Sequence, residues 1–148
     1  MTKWMSGARG MAVIVLLWIV GWGMGFGGLI ELLIDPDGEI LDVWPTAMAA
    51  PGLLGGIVFA VLVRVAEGRR RFDEVALVRF TAWGVLTGLA LGVFAIATDA
   101  TNVEGLDLTD AETVGILTAL GGVAAFGTAV FFRLLTWFRP ATVAGQTR

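Results

Sequence analysis

The sequence predicts an all-α membrane protein, built as a bundle of four transmembrane helices. First, 57% of its 148 residues are hydrophobic, which gives more apolar surface than a soluble domain of this length hides. Second, three charged connections divide the apolar residues into four stretches, each long enough to cross a hydrocarbon core about 30 Å thick. Third, acidic and basic residues occupy alternate connections, as the positive-inside rule predicts for a polytopic membrane protein.

The sorting of charge also predicts the orientation. All ten Lys and Arg residues lie near the N-terminus, around the middle connection or towards the C-terminus, whereas the first and third connections are acidic. Because Lys and Arg beside a span are retained in the cytoplasm, we expect the middle connection and both termini on that side. The same rule accounts for the basic residues, so we expect no nucleic-acid partner. The preference for Arg over Lys, with abundant Gly and Ala, favours a bacterial source and hence the inner (cytoplasmic) membrane.

We expect one transmembrane domain over residues 1–140 and a disordered cytoplasmic tail over 141–148. The four spans are predicted at about 10–34, 45–66, 74–98 and 112–138. The first apolar run is too long for a signal peptide and no small-residue cleavage motif follows it, so we expect it to be retained as the first span.

The first span is dense in glycine over residues 21–28. We expect a helix to persist there, because lipid offers the backbone no other hydrogen-bonding partner. Gly21, Gly25 and Gly28 then form a smooth strip where another helix can approach closely. The segment Asp35-Pro36-Asp37-Gly38 that follows is typical of a turn, since Pro presets φ and Gly accepts a positive φ.

Pro51 leaves two interpretations of the second span open. Trp44 is predicted at the outer interface, and Pro45 suits the first helical position. If the helix begins there, Pro51 lies inside it and kinks it; otherwise residues 44–50 form a short interfacial segment. We favour the kink, because a helix that began at Pro51 would have only about 16 residues, too few for a full crossing.

Small residues also predict packing faces in the second and third spans. The GxxxGxxxG spacing of the third span is typical of closely packed membrane helices. The predicted packing positions in these two spans are Gly52, Gly56, Gly84, Gly88 and Gly92. The segment from Thr109 to Glu112 matches a capping box, so we expect the fourth helix to begin within it.

The two halves of the chain resemble each other weakly. Trp22-Gly23 in the first span matches Trp83-Gly84 in the third, and Leu-Gly-Gly occurs at both 54–56 and 120–122. These matches fit two tandem helical hairpins that run in the same direction. Chance matches in a sequence so rich in Gly and Leu are the alternative.

Glu31 is a candidate intramembrane carboxylate, because it is the only acidic residue well inside an apolar stretch. Ionisable groups in lipid are costly and mark pathways for ions or substrates. Glu31 lies about one helical turn from the outer end of the first span, where no basic residue is present to pair with it. An interfacial or helix contact is the first interpretation, and proton or substrate coupling is the alternative.

Arginines cluster where the second, third and fourth spans reach the cytoplasm. They are candidates for contacts with anionic lipid headgroups, and snorkelling of the long side chains to the interface is the alternative. The candidate lipid contacts are Arg64, Arg69, Arg70, Arg71, Arg79 and Arg133.

Carboxylates alternate along the first connection, which contains Asp35, Asp37, Glu39 and Asp42. Hard cations such as Ca²⁺ prefer several oxygen ligands of this kind. The segment lacks the twelve-residue loop that ends in a bidentate Glu, so we expect a solvated turn and no metal site.

The composition argues against enzymatic chemistry. The chain has no Cys, no His and no Ser inside a span, which removes the common nucleophiles and the imidazole base. We therefore expect no catalytic activity and no cofactor. The leading hypothesis is a non-catalytic accessory or scaffolding subunit that packs through its glycine-rich faces, in the lipid bilayer, with itself or with a larger membrane complex. The alternatives are a small oligomeric transporter or channel protomer that uses Glu31, and an anionic-lipid-binding membrane protein.

Overall fold

The computed structural model describes residues 8–37, 43–68, 75–98 and 108–137 of the chain. Its elements are α1 (Ala8–Val20), a π-helical segment (Gly21–Gly27), α2 (Gly28–Leu33), α3 (Trp44–Glu67), α4 (Leu77–Ala97) and α5 (Asp110–Trp137). The first three run on as one helix of 26 residues, so the described part of the chain contains four helices long and apolar enough to cross a membrane. The predicted class, an all-helical fold with four helices suited to crossing a membrane, is therefore confirmed.

Some predicted features lie outside the described ranges and stay predictions. They are Glu39, Asp42, Arg69, Arg70, Arg71 and the tail 141–148. Within the described ranges, α4 begins at Leu77 rather than at about 74, because Ala76 has an extended backbone with ψ of 137° immediately before the helix.

The glycine-rich part of the first span is helical, as predicted, but it adopts the π form. Hydrogen bonds from i to i+5 add a residue to each turn and so change the side of the helix on which each glycine lies. Gly23 faces α3, since a Cβ placed on it would lie 2.8 Å from the carbonyl oxygen of Pro45. At Gly21, Gly25 and Gly28, such a Cβ would meet nothing within 4 Å. This predicted strip therefore faces away from the other described helices.

Helix α3 continues without interruption through Pro51. The interpretation in which residues 44–50 form a separate interfacial segment is therefore wrong.

The two ends of α3 follow the sequence signals. Pro45 occupies the first turn, where its missing N–H removes no helical hydrogen bond. Gly68 follows the helix with a φ of 62°, a left-handed conformation that glycine adopts without strain.

Glycines of α3 allow a close approach to α1. A Cβ at Gly52 would lie 2.8 Å from both the Trp18 carbonyl oxygen and the Trp22 Cβ. A Cβ at Gly56 would lie 2.9 Å from the Trp18 Cβ and 3.0 Å from the Val15 Cα. The contacts move towards the start of α1 as they move along α3, so the two helices pack antiparallel with their backbones in close contact.

The glycines of the GxxxGxxxG segment face α5 in the same way. Gly84 packs against the backbone of Gly121, and a Cβ at Gly92 would lie 2.9 Å from the Val114 Cα. Gly88 lies between these two contacts and also meets backbone atoms of α5. Helices α4 and α5 are therefore antiparallel, and no side chain larger than hydrogen fits on α4 at these positions without moving α5.

A row of aromatic side chains fills the core between the helices. Phe26 contacts Trp22 edge to face at 6.0 Å between ring centroids, and Trp22 stacks on Trp18 at 6.3 Å. Trp18 stacks on Phe59 at 4.9 Å, and Phe59 meets Phe80 edge to face at 4.9 Å. The row joins the first helix to α3 and α4, and four of its five side chains, all except Phe26, are fully buried. Large rings thus fill the volume that the glycines leave between the helices.

The outer surface of the bundle is apolar. Met24, Leu32, Val65 and Val78 are each more than two-thirds exposed, and they belong to several different helices. Exposed apolar area of this extent is unfavourable in water and suits contact with lipid chains. The apolar exterior therefore supports contact with the bilayer.

Candidate functional site at the basic end of the bundle

The charged side chains of the described residues lie at the two ends of the bundle and are sorted by sign. The antiparallel packing places the start of α1, the end of α3, the start of α4 and the end of α5 together. This basic end carries Arg9, Arg64, Glu67, Arg79 and Arg133. The opposite, acidic end carries Glu31, Asp35, Asp37, Asp110 and Glu112. In the described residues the formal charge is therefore +3 at the basic end (four Arg, one Glu) and −5 at the acidic end (five acids).

Glu67 is enclosed at the basic end, where it is the last residue of α3. Its side chain is 2% exposed, and its Oε1 lies 2.9 Å from Nη2 of Arg79. The indole N–H of Trp83 donates to the same oxygen at 3.3 Å. Arg79 and Trp83 are four residues apart on α4, so one face of that helix presents both groups to the carboxylate. The ion pair and the indole bond together join α3 to α4.

Arg64 binds the turn that follows α3. Its Nη1 donates to the carbonyl oxygen of Gly68 at 2.7 Å. This bond satisfies one of the carbonyl groups that a helix leaves without a partner at its C-terminus. Arg64 and Arg79 are therefore attached to consecutive residues, Gly68 and Glu67. We call these four residues the arginine turn.

Sequence reasoning identified the two arginines of this turn but missed their partners. It did not anticipate that Glu67 meets Arg79 of the next helix. The i,i+4 spacing of Arg79 and Trp83 at the start of α4 was the signal that could have found this contact, because it places a cation and an indole donor on one helical face.

The acidic end contains a related contact. The indole N–H of Trp44 donates to Oδ2 of Asp35 at 2.9 Å, and both side chains are buried. Trp44 is thus packed inside the protein, with 3% of its side chain exposed, and its position at the outer interface stays a prediction. Helix α3 is bound through an indole–carboxylate hydrogen bond at each of its ends.

In the described ranges, no group of three or more His, Cys, Asp or Glu side chains is arranged to hold a metal ion.

Glu31 lies on α2 at the acidic end and is half-buried. It is two residues from the end of the first span at Leu33, so it lies near the end of the span rather than at its middle. The described residues of the acidic end include no basic side chain that pairs with it. Its role in proton or substrate coupling stays a prediction.

Two threonine hydroxyls between the two ends donate to carbonyl groups of their own helices. The hydroxyl of Thr87 donates to the Trp83 carbonyl at 2.9 Å, and that of Thr128 donates to the Ala124 carbonyl at 2.7 Å. Such bonds to the preceding turn are the usual way in which Thr is accommodated in an apolar helix. Between the two ends, the described interior contains no ionisable side chain.

The fold and the charge distribution together define a helical, multi-pass membrane protein with one basic and one acidic end. Comparison with protein-family models, curated proteins and solved structures finds no match to this chain. Its function is therefore inferred from its own residues.

Proposed function

We propose that this chain is a non-catalytic accessory or scaffolding subunit of a membrane assembly, which docks on another helix through the glycine strip of its first span. One observation carries the proposal. Of the predicted packing glycines, those of α3 and α4 are in contact with helices of the same chain. At Gly21, Gly25 and Gly28, by contrast, no described atom beyond the local backbone of the same helix lies within 4 Å of the place that a Cβ would take.

The strip has the properties that membrane helices use for association. Lipid chains are as apolar as leucine, so helices associate there through close backbone packing, which small residues permit. Gly25 is exposed and Gly21, four residues before it, is half-buried, so a second helix can reach both, whereas the half-buried Gly28 begins α2 after the π-helical turns. Exposed Leu29 and Leu32 extend the same part of the helix with large apolar side chains.

The distribution of charge supports a non-catalytic role. Ionisable side chains of the described residues lie at the two ends of the bundle, and aromatic rings and glycines fill the interior. The complete chain has neither His nor Cys. An accessory subunit needs only the packing faces.

The positive-inside rule favours a cytoplasmic location for the basic end and for both termini, in a bacterial inner membrane.

The transporter alternative gains no support from the described interior. A coupling carboxylate is effective where a polar path reaches it, and Glu31 lies at one end of an apolar bundle. Thr87, near the middle of α4, donates its hydroxyl proton to its own helix.

The test is the composition of the particle that surrounds the protein in native lipid. We expect a larger complex or a homo-oligomer, which Gly25→Leu disrupts because the new side chain holds the partner helix away. Gly115→Leu is the matched control, since Gly115 on α5 also has open space around it. Mass determination and proteomic identification of the extracted particles would give both results.

Two outcomes would contradict the proposal. The first is a wild-type particle that contains a single copy of this chain and no other protein. The second is a complex of unchanged composition in Gly25→Leu. Circular dichroism of both variants checks that the helices are retained, which we expect because neither new side chain meets an atom within 4 Å at its Cβ.

A further inference from the structure

We infer that Arg64 and Arg79 bind the phosphate group of an anionic lipid at the basic end of the bundle. The inference goes beyond the accessory role and does not depend on the glycine strip. It starts from the arginine turn, which attaches two guanidinium groups from different helices to consecutive residues, Glu67 and Gly68.

The arginine turn brings the two cations to the same end of the bundle. Consecutive Cα atoms are about 3.8 Å apart, so the acceptors Glu67 Oε1 and Gly68 O are at most roughly 11 Å apart even with an extended Glu side chain. Arg79 lies 2.9 Å from the first acceptor and Arg64 lies 2.7 Å from the second. Both groups therefore lie where α3 ends and α4 approaches it, which is the depth of a lipid headgroup rather than of the hydrocarbon core.

Each guanidinium keeps donors for a ligand. Arginine has five N–H groups in a planar fork that matches the oxygens of a phosphate. The contact with Glu67 involves one nitrogen of Arg79, and the bond to Gly68 involves one nitrogen of Arg64. The Arg79 side chain is 54% exposed and Arg64 is half-buried, so both are accessible from the bilayer boundary. Because protein contacts already restrain them, less side-chain entropy is lost when a ligand binds.

The charge of the arginine turn selects an anionic lipid. Two guanidinium groups and one carboxylate give +1, which complements the single negative charge of a phosphodiester. A zwitterionic lipid carries its own ammonium group beside the phosphate, so it gains less from this site. Free phosphate in the aqueous phase is the other source of the same chemistry, and the experiment separates the two.

The experiment uses the full chain, delipidated in a neutral detergent and mixed with equal amounts of phosphatidylglycerol and phosphatidylcholine. Native mass spectrometry then measures which lipid is retained. We expect preferential retention of phosphatidylglycerol by the wild type and a loss of about fivefold in Arg64→Gln, as expected for one arginine near an anionic headgroup. Arg64→Gln carries the test because it leaves the Glu67–Arg79 pair intact, whereas Arg79→Gln also removes an ion pair of the buried Glu67 carboxylate.

Arg133→Gln is the matched control, because Arg133 is exposed at the same end but belongs to α5. We expect this variant to retain most of the phosphatidylglycerol. Equal losses in Arg64→Gln and Arg133→Gln would overturn the site, since retention would then reflect the general positive charge of this end. Unchanged retention in Arg64→Gln would overturn it as well.

A competition experiment identifies the source of the phosphate. Millimolar inorganic phosphate should leave phosphatidylglycerol bound, because the lipid chains add apolar contacts with the helix surface. Displacement of the lipid by inorganic phosphate at such concentrations would overturn the assignment to a lipid and show a site for a soluble anion. Tryptophan fluorescence of each variant during heating checks that the protein is folded, so that any loss of phosphatidylglycerol reflects the site and not unfolding.

Discussion

At the scale of single residues, Glu67 shows how this chain keeps a charge within an apolar bundle. Burial of a carboxylate is unfavourable unless a cation and hydrogen-bond donors compensate for the lost water. Arg79 supplies the cation at 2.9 Å and Trp83 supplies an indole donor at 3.3 Å. Arg79 is itself about half exposed, so it keeps part of its hydration while it covers the carboxylate. The pair therefore avoids much of the cost of burying two charges.

Removal of the Arg79 cation should lower the free energy of unfolding more than neutralisation of the Glu67 carboxylate. Arg79→Ala removes the cation that contacts the buried carboxylate, and we expect a loss of about 2 kcal/mol in the free energy of unfolding, intermediate between a buried and an exposed pair. Glu67→Gln keeps an oxygen that accepts from Trp83, so we expect a loss of about 1 kcal/mol. Denaturation in sodium dodecyl sulfate, followed by circular dichroism, measures both values.

The double variant Glu67→Gln/Arg79→Ala completes the comparison. Because it removes the buried charge together with its partner, we expect it to be more stable than Arg79→Ala alone. A double variant whose loss equals the sum of the two single losses would show that the two side chains do not stabilise each other.

Sequence reasoning at this scale found residue types but not their partners. Arg64 and Arg79 were recognised from their place beside the spans, yet the contact of Arg79 with the Glu67 carboxylate was not predicted. Helical spacing predicts contacts within one helix, whereas the Glu67–Arg79 contact depends on how two helices pack.

The capping box of α5, by contrast, is a local contact that the sequence predicted correctly. Thr109 N–H donates to Glu112 at 2.9 Å and Glu112 N–H donates to the Thr109 hydroxyl at 3.3 Å, as the local pattern predicts.

At the scale of helices, glycine determines which surfaces meet. The spacing of Gly84, Gly88 and Gly92 predicted a packing face, and these residues meet α5 in the structure. The first span was harder to interpret, since a prediction based on α-helical spacing selects Gly21, Gly25 and Gly28. The π form adds a residue per turn, and Gly23 and Gly27 face α3 instead. No spacing rule for α-helices anticipates that change of register.

Substitution of Gly88 should test the contact between α4 and α5. A Cβ there would lie 2.8 Å from the Thr118 Cα, a backbone neighbour that moves only if the whole helix moves. We therefore expect Gly88→Ala to lower the free energy of unfolding by about 2 kcal/mol, in the range of overpacked interiors. Unfolding in sodium dodecyl sulfate provides the measurement.

Gly115→Ala is the control for that experiment. It adds the same methyl group to α5 at a position with no atom within 4 Å, so we expect no loss of stability and a slight gain from the better helix propensity of alanine. Equal effects of the two substitutions would mean that the close approach of α4 and α5 does not contribute to stability.

At the scale of the whole molecule, the separation of charge links the fold to its orientation. The antiparallel helices gather the described arginines at one end and leave the other end acidic. We expect four crossings, an even number, which would place both termini on one side. The positive-inside rule then favours the cytoplasm for that side, because Lys and Arg oppose translocation across the bacterial inner membrane. The separation itself was predictable from the sequence, since charge sorting depends on position along the chain and not on packing detail.

The orientation is directly measurable because the chain contains no native Cys. Single-cysteine variants at Asp37, which is exposed at the acidic end, and at Thr147, near the C-terminus, would be treated with a membrane-impermeant maleimide in spheroplasts. We expect Asp37→Cys to be labelled in intact spheroplasts and Thr147→Cys to be labelled only after the membrane is permeabilised. The reverse pattern would place the arginine turn in the outer leaflet. Labelling of both positions in intact spheroplasts would instead require an even number of crossings between them, which contradicts the three helices α3, α4 and α5 that separate the two positions.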